Sequence, residues 1–238
     1  MNILVCFKYI YNDEEVYVGA DKSPDVSSAS WVVSPYDLNM IEAAMKLAAA
    51  VGDSSVNMMT VAGDVLDNSK AKKSALSRGP AEMYAVKAPN ALELDNVDLI
   101  VCGEGSGDMY SQQLGNMLGG MLGWPTVNVV GELKYEDGKV LAARTVGNRT
   151  ETFAITGKAV VSVTSDISRP RIPSMKEIMG AGKKPVTIWS ADEIGGLASV
   201  TNTASVKAPD KTVRKNLVFH EAEEAEFEEF CKLLKSSI

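Results

Sequence analysis

Residues 98–121 decide the fold class, and they read DLIVCGEGSGDMYSQQLGNMLGGM. The apolar run Asp98–Cys102 ends in a glycine-rich loop, Gly103–Asp108, and a helix-forming stretch follows through Met121. A strand that enters a helix through such a loop presents free backbone N–H groups and the positive end of the helix dipole beyond its tip. Glycine also permits close approach and positive φ, which we expect at Gly103, Gly105 and Gly107. This stretch predicts a strand, a glycine-rich loop and a helix.

The pattern has two readings, because it is neither GxGxxG followed by an acidic residue nor GxxxxGK[ST]. One reading is a phosphate cradle, in which Ser111 or Gln112 orients polar groups around the anion. The other is a connecting turn without a ligand. The sequence of the loop alone leaves both readings open.

The rest of the first half alternates strand and helix. Apolar runs at Ile3–Phe7, Val56–Ala62 and Met83–Ala88 are typical of strands buried on both faces, as in parallel sheets. A helical stripe follows Ser34, with Asp37 as its expected cap and Gly52 as its end. The carboxyl ends of strands one, two and four should share one sheet edge, so a nucleotide there would meet all three tips.

The second half adds antiparallel structure and an arm. The β-prone runs between 127 and 163 are separated by the hairpin signals Glu136–Gly138 and Gly147–Asn148. Residues 169–185 predict an exposed basic loop with a short helix, residues 197–210 an extended arm, and residues 221–234 an acidic amphipathic helix. Only about ten residues, 89–97, separate strands three and four, so we expect a shortened crossover there. We place domain boundaries at 1–195 and 196–238.

Composition excludes several classes of function. The chain of 238 residues has 24 Lys and Arg against 31 Asp and Glu, a net charge of −7, which disfavours nucleic acid as a partner. The single histidine, His220, argues against a Ser-His-Asp relay and histidine-ligated metal. Three widely spaced cysteines suit neither a disulfide framework nor a metal site, so we expect a cytoplasmic protein. We expect no secretory signal and no membrane span.

Five segments carry a resemblance to a known family: residues 3–10 (ILVCFKYI), 34–48 (SPYDLNMIEAAMKLA), 75–86 (ALSRGPAEMYAV), 98–128, and 169–189 (RPRIPSMKEIMGAGKKPVTIW). In this order they resemble the β subunit of electron transfer flavoprotein, and within it the FixA-like branch. The resemblance implies an α/β fold with a parallel-sheet, Rossmann-like core that binds an adenine nucleotide. Added antiparallel strands and a C-terminal arm with a helix complete the expected architecture.

The resemblance also implies a heterodimer and its cofactors. A FixB-like α subunit would share FAD with this chain, and the β-subunit pocket would hold either AMP or a second FAD. The chain would be an electron carrier without catalytic side chains, since the flavin supplies the chemistry. By position, the resemblance assigns the nucleotide pocket to Cys6, Ser34, Pro35, Tyr36, Asp37, Ala62, Glu104, Gly105, Ser106, Gly107, Asp108, Met109, Tyr110, Ser111, Gln112, Gln113, Leu114 and Gly115.

A docking segment for a dehydrogenase is the last implication. The stretch PSMKEIM looks like the family's recognition loop, with Met175, Ile178 and Met179 as its apolar contacts within residues 170–185. An acyl-CoA-type or related dehydrogenase would be the partner, and the flexible thioether of Met175 suits an irregular socket. Two alternatives stay open: a homodimeric, adenine-nucleotide-binding stress-type protein, and an NADH-oxidising subunit of a bifurcating flavoprotein.

Overall fold

A computed structural model describes residues 1–87, 97–194, 204–210, 217–219 and 224–237. Its strands, in chain order, are β1 (Asn2–Cys6), β2 (Tyr9–Tyr11), β3 (Tyr17–Val18), β4 (Pro24–Asp25), β5 (Trp31–Val33), β6 (Ser55–Val61), β7 (Met83–Lys87), β8 (Leu99–Gly103), β9 (Thr126–Glu136), β10 (Lys139–Val146), β11 (Arg149–Ile155), β12 (Ala159–Val163) and β13 (Val186–Ser190). Its helices are α1 (Pro35–Val51), α2 (Ser69–Leu76), α3 (Leu114–Leu122), α4 (Met175–Ala181) and α5 (Glu224–Ser237).

One sheet organises the fold, with strand order β11-β10-β9-β12-β8-β1-β6-β7-β13. Neighbouring strands from β9 to β13 in this order run parallel, whereas β9, β10 and β11 form antiparallel pairs. The α/β class with a parallel core and added antiparallel strands is therefore confirmed. Because β1 lies between β6 and β8, the three strands end at the same edge of the sheet.

The central strands are buried on both faces. Leu99 to Cys102 in β8 and Val160, Val161 and Val163 in β12 are almost inaccessible to solvent. Such strands need cover above and below, which is why their sequences are continuously apolar rather than alternating. Each fully buried aliphatic side chain contributes about 1.5–3 kcal/mol, so these two strands form the centre of the core.

Helix α1 covers one face of the sheet next to β1, β6 and β8. Its buried side includes Met40, Ile41, Ala44 and Leu47, which recur at helical spacing. The helix ends as expected at Gly52, whose φ of 90° is open to glycine and strained for other residues. Its start differs from the expectation: Ser34 is the N-cap residue, and Asp37 lies inside the first turn.

Several elements were not predicted. Two small antiparallel pairs, β2 with β5 and β3 with β4, occupy the loop between β1 and α1. Strand β13 follows the predicted loop 169–185 directly and adds a parallel edge beside β7. The expected shortened crossover falls mainly on residues 88–96, which lie outside the described part of the chain.

The chain divides into two compact units, one of Met1–Tyr17 with Asp25–Ala204 and one of Val18–Pro24 with Ser205–Ile238. In the second unit, the Ala208 N–H donates to the Lys22 carbonyl at 2.8 Å. In the acidic helix α5, the apolar side chains of Phe227, Phe230 and Leu234 are exposed to solvent. The domain boundary at 195/196 stays a prediction. In the described ranges, no helix has the length and apolar character needed to cross a bilayer.

Candidate functional site

The carboxyl ends of β1, β6 and β8 surround a cavity of about 380 Å³. Its lining comes from all three tips, from the loop after β8, from α1 and from α3: Cys6, Phe7, Lys8, Asp37, Met59, Thr60, Val61, Gly103, Gly105, Ser106, Leu114 and Leu118. This is the crevice beyond the strand ends where open α/β sheets bind ligands. We call it the strand-tip cavity.

Asp37 lies buried at the base of the strand-tip cavity. Its Oδ2 accepts the backbone N–H of Lys8 at 2.7 Å, so the carboxylate holds the end of β1 rather than capping α1. The expected role as a helix cap is therefore wrong. Burial raises the pKa of Asp37 to about 7, the carboxylate of Asp108 adds to the rise, and the N–H and charge of Lys8 oppose it.

The Lys8 side chain pairs with a second carboxylate, that of Asp108. The Lys8 Nζ lies 2.5 Å from Asp108 Oδ2, and both side chains are about half exposed. Asp108 Oδ1 accepts hydrogen bonds from the Ser106 hydroxyl at 2.5 Å and from the Met109 N–H at 2.8 Å. Partial burial raises the pKa of Asp108, but these three donors outweigh it and hold the pKa below its usual range.

Close approach explains the three glycines of the loop. A Cβ on Gly103 would lie 2.7 Å from Asp37 Oδ1, one on Gly105 would lie 2.5 Å from the Tyr110 ring, and one on Gly107 would lie 2.8 Å from Ile10. None of these three glycines has a positive φ. The left-handed conformation occurs further along the loop, at Tyr110 and Gln112 with φ of 45° and 56°.

Two thiols lie beside this loop, that of Cys6 partly buried and that of Cys102 fully buried. Cys6 and Cys102 are register partners on β1 and β8. Burial, with the nearby Asp37 carboxylate, raises the pKa of the Cys6 thiol to about 12, and burial also raises that of Cys102. Since the thiolate is the reactive form, both side chains act here as small apolar groups.

A larger cavity of about 930 Å³ adjoins the strand-tip cavity at Lys8 and Val61, which line both. Four of its lining residues are aromatic: Tyr9, Tyr11, Trp31 and Tyr36. Tyr11 stacks on Trp31 with ring centroids 4.0 Å apart. We call this space the aromatic cavity. Both volumes fall within the ~300–1,000 Å³ typical of small-molecule sites.

The structure distributes the predicted pocket residues over three places. Five line the strand-tip cavity: Cys6, Asp37, Gly105, Ser106 and Leu114. Five line the aromatic cavity: Pro35, Tyr36, Ala62, Gly107 and Asp108. The others lie around the loop and the start of α3 and line neither cavity: Ser34, Glu104, Met109, Tyr110, Ser111, Gln112, Gln113 and Gly115.

Some of these outer residues have structural contacts instead. The Ser34 hydroxyl accepts the Gly107 N–H at 3.3 Å, and Glu104 accepts the Ser165 N–H at 3.2 Å. Gly115 faces Asn128 and Ser162, where a Cβ would meet both side chains. Met109 is exposed.

Sequence reasoning missed Lys8, Thr60 and Trp31. Lys8 follows directly after an apolar strand, and that position was the available signal. The hydroxyl of Thr60 is buried, and no other described group hydrogen-bonds to it. An unpaired buried hydroxyl costs about 1–3 kcal/mol. A polar ligand in the strand-tip cavity, which Thr60 lines, could supply the missing partner.

The predicted docking residues lie on α4 and project outward. Met175 and Met179 are 71% and 73% exposed, and Ile172 just before the helix is 92% exposed. Ile178 is less exposed, at 37%. Helix α4 begins with a capping box, in which Ser174 and Glu177 bond reciprocally to each other's backbone N–H groups.

Two partly buried contacts hold the segment that carries α4. Before the helix, Arg171 donates from Nε and a terminal nitrogen to the Glu42 carboxylate, at 2.6 and 3.3 Å. After it, the Lys184 ammonium donates to the carbonyls of Leu76, Gly79 and Pro80 at the end of α2. The exposed methionines therefore stand on a segment fixed at both ends.

A family model described as the electron transfer flavoprotein domain matches residues 88–194. The match supports a relationship of this part of the chain to the electron transfer flavoprotein family. It includes the glycine-rich loop, α3, the hairpin strands and α4. Proteins of this family are generally electron carriers that work with an α subunit and dehydrogenases. Within the described ranges, no three His, Cys, Asp or Glu side chains cluster in a way that could hold a metal ion.

Proposed function

We propose that the chain is the FixA-like β subunit of a heterodimeric electron transfer flavoprotein and acts in the cytoplasm. It binds an adenine nucleotide in the strand-tip cavity and relays electrons through FAD held together with a FixB-like α subunit. The observation that carries the proposal is the strand-tip cavity, bordered by three parallel strand ends and a glycine-rich loop inside the matched domain.

The residues around the cavity fit a nucleotide. Glycine at positions 103, 105 and 107 removes the Cβ atoms that would meet Asp37, Tyr110 and Ile10, so the loop can pass close to the strand-tip cavity. Lys8 supplies a cation at the rim, and Met59, Leu114 and Leu118 supply an apolar surface for a base. The flavin, when bound, supplies the redox chemistry. The chain's own side chains bind, orient and exclude water.

The nucleotide is AMP or a second FAD, and the second is the candidate that would suit an NADH-oxidising, bifurcating protein. The aromatic cavity favours this candidate, because it adjoins the strand-tip cavity and has room and stacking partners for a second ring system. AMP is favoured by the smaller volume of the strand-tip cavity. A homodimeric stress-type protein would leave the exposed methionines of α4 without a role.

The α4 segment is the proposed contact with an acyl-CoA-type or related dehydrogenase. Its methionines present unbranched thioether side chains, which adapt to an irregular apolar socket. Lys176 and Lys183 lie near them and favour an acidic rim on the partner.

The test is co-expression with the flavoprotein α subunit of the same organism, followed by purification and denaturing extraction. We expect a one-to-one complex with either one FAD and one AMP or two FAD. Two FAD assigns the bifurcating form, and one FAD with AMP assigns simple transfer. A chain that stays apart from the α subunit and carries no adenine nucleotide contradicts the proposal.

A further inference from the structure

The two cavities meet at an ion pair. Lys8 lines both cavities, while its partner Asp108 lines the aromatic cavity and Ser106, bonded to Asp108, lines the strand-tip cavity. The Lys8 backbone is fixed by Asp37, and the Asp108 carboxylate is fixed by Ser106 and the Met109 N–H. The pair therefore stands at the junction with both members held in place.

Breaking the Lys8–Asp108 ion pair costs little free energy. Its side chains are 45% and 41% exposed, and an ion pair of that exposure contributes at most about 1 kcal/mol. A phosphate group attracts Lys8 more strongly than a single carboxylate does, because it carries more charge and more acceptor oxygens. Among the described residues that line the two cavities, the other ionisable groups are the carboxyls of Asp37 in the strand-tip cavity and Asp13 in the aromatic cavity.

A monophosphate and a diphosphate ligand would meet this junction differently. A mononucleotide fits within the strand-tip cavity and leaves the ion pair in place. A dinucleotide must pass its diphosphate across the junction to bring its second ring into the aromatic cavity. There, Asp108 repels the diphosphate while Lys8 attracts it.

We infer that the Lys8–Asp108 pair sets the length of the nucleotide that the chain accepts. Closed, it confines the ligand to a mononucleotide. Open, with Lys8 transferred to the ligand's phosphates, it joins the two cavities for a dinucleotide with a second planar ring. Lys8 and Asp108 are thus specificity-determining residues, and the inference rests on the proposed nucleotide site.

The experiment compares equilibrium binding of AMP and of FAD to the full chain, by calorimetry and by quenching of flavin fluorescence. The test variant is Asp108→Asn, which keeps the side chain's size and an acceptor oxygen but removes the charge. We expect the dissociation constant for FAD to fall about fivefold, the factor that corresponds to about 1 kcal/mol, and that for AMP to fall by a smaller factor. Glu151→Gln is the matched control, since it breaks the exposed pair with Arg144 far from the junction.

A double-variant cycle separates this role from a merely structural one. In a Lys8→Met background, Asp108→Asn should favour FAD by a clearly smaller factor, because the repulsion from Asp108 is lost but no cation is released. If Asp108→Asn does not fold, Lys8→Gln is the second test variant. It should weaken FAD binding more than AMP binding.

The outcomes distinguish failure of the inference about the ion pair from failure of the proposed nucleotide site. If Asp108→Asn changes AMP and FAD binding by the same factor, or acts equally without Lys8, the inference is overturned and the nucleotide site stands. If the native chain binds neither AMP nor FAD, alone or with the α subunit, the proposed function fails and this inference fails with it.

Discussion

At the scale of single residues, Lys8 is bound by two carboxylates whose pKa values are shifted in opposite directions. Asp37, deeply buried, takes the Lys8 backbone N–H, and its pKa is raised to about 7. Asp108, at the rim, takes the Lys8 ammonium, and its pKa is lowered. Burial dominates at the first carboxylate and hydrogen bonding at the second, so two acidic residues a few ångströms from one lysine respond to pH differently.

Asp37→Asn should change how stability depends on pH. The native carboxyl has a folded pKa of about 7 against an unfolded value near 3.9, so the folded state binds more protons between these values. The stability that Asp37 contributes is therefore greatest at low pH and declines as pH rises towards 7. Asparagine still accepts the Lys8 N–H but cannot ionise. From pH 5 to pH 8, the variant should gain about 2 kcal/mol of unfolding free energy relative to the native chain.

Urea denaturation of both proteins at the two pH values measures this difference. Other titrating groups are common to both proteins and cancel in the comparison. An equal difference at pH 5 and pH 8 would mean that Asp37 is ionised in the folded state throughout this range.

At the scale of elements, a partly buried ion pair joins the α4 segment to α1. The Glu42 side chain is 9% exposed and its partner Arg171 is 36% exposed. Arg78 lies beside them, with one guanidinium nitrogen donating to the Arg171 carbonyl at 2.8 Å and its Nε without a partner among the described groups. Glu42 thus faces two guanidinium groups in a space with little water.

Glu42→Gln should loosen the segment that carries Met175 and Met179. The neutral amide leaves two guanidinium groups without a counter-charge, at a cost of about 1–3 kcal/mol, the lower end applying if Arg171 turns to solvent. Hydrogen exchange should rise in residues 171–181 more than in β8. Glu151→Gln is the matched control, because its pair with Arg144 is more exposed and should cost less than about 1 kcal/mol. Equal exchange in the two variants would show that α4 does not depend on Glu42.

The predictable elements are those with a clear period or a complete apolar run. Strand β8 and helix α1 belong to this class. Burial on both faces gives β8 a continuous apolar run, and burial along one stripe gives α1 apolar residues at helical spacing. Strands β2 and β5 have three residues each, too few to show a period. Strand β13 is recognisable only by its partner β7, about a hundred residues earlier, and sequence periodicity carries no such long-range information.

At the scale of the whole molecule, the position of the site was predictable while its chemistry was only partly so. Parallel strands that share an edge bring their tips together, and the βα alternation predicts that edge. The direction of individual side chains depends on contacts between distant segments. The hydrogen bond between Asp37 and Lys8 joins positions 29 residues apart, and that between Lys8 and Asp108 joins positions 100 residues apart. No local pattern signals such pairs.

The second compact unit is held by contacts that water can reach. The Lys207 ammonium donates to the Asp21 carboxylate and carbonyl and to the Ser23 hydroxyl, and Lys22 pairs with Asp210. Hydrogen bonds from Ser23 and from Lys207 lower the pKa of Asp21 to about 2. The charged side chains among these are about half exposed or more, so their attraction is open to screening by salt.

High salt should therefore loosen residues 204–210 without affecting the central sheet. At 1 M salt the screening length is about 3 Å, and exchange of the Ala208 amide, which donates to Lys22, should accelerate at least about threefold over that in 0.05 M salt. The amides of β8 lie in a buried parallel ladder and should keep their rates. Lys207→Met should reproduce the acceleration at low salt, since it removes the three donor contacts while keeping much of the apolar stem. If neither salt nor this variant moves the Ala208 amide, apolar contacts rather than charges hold the second unit together.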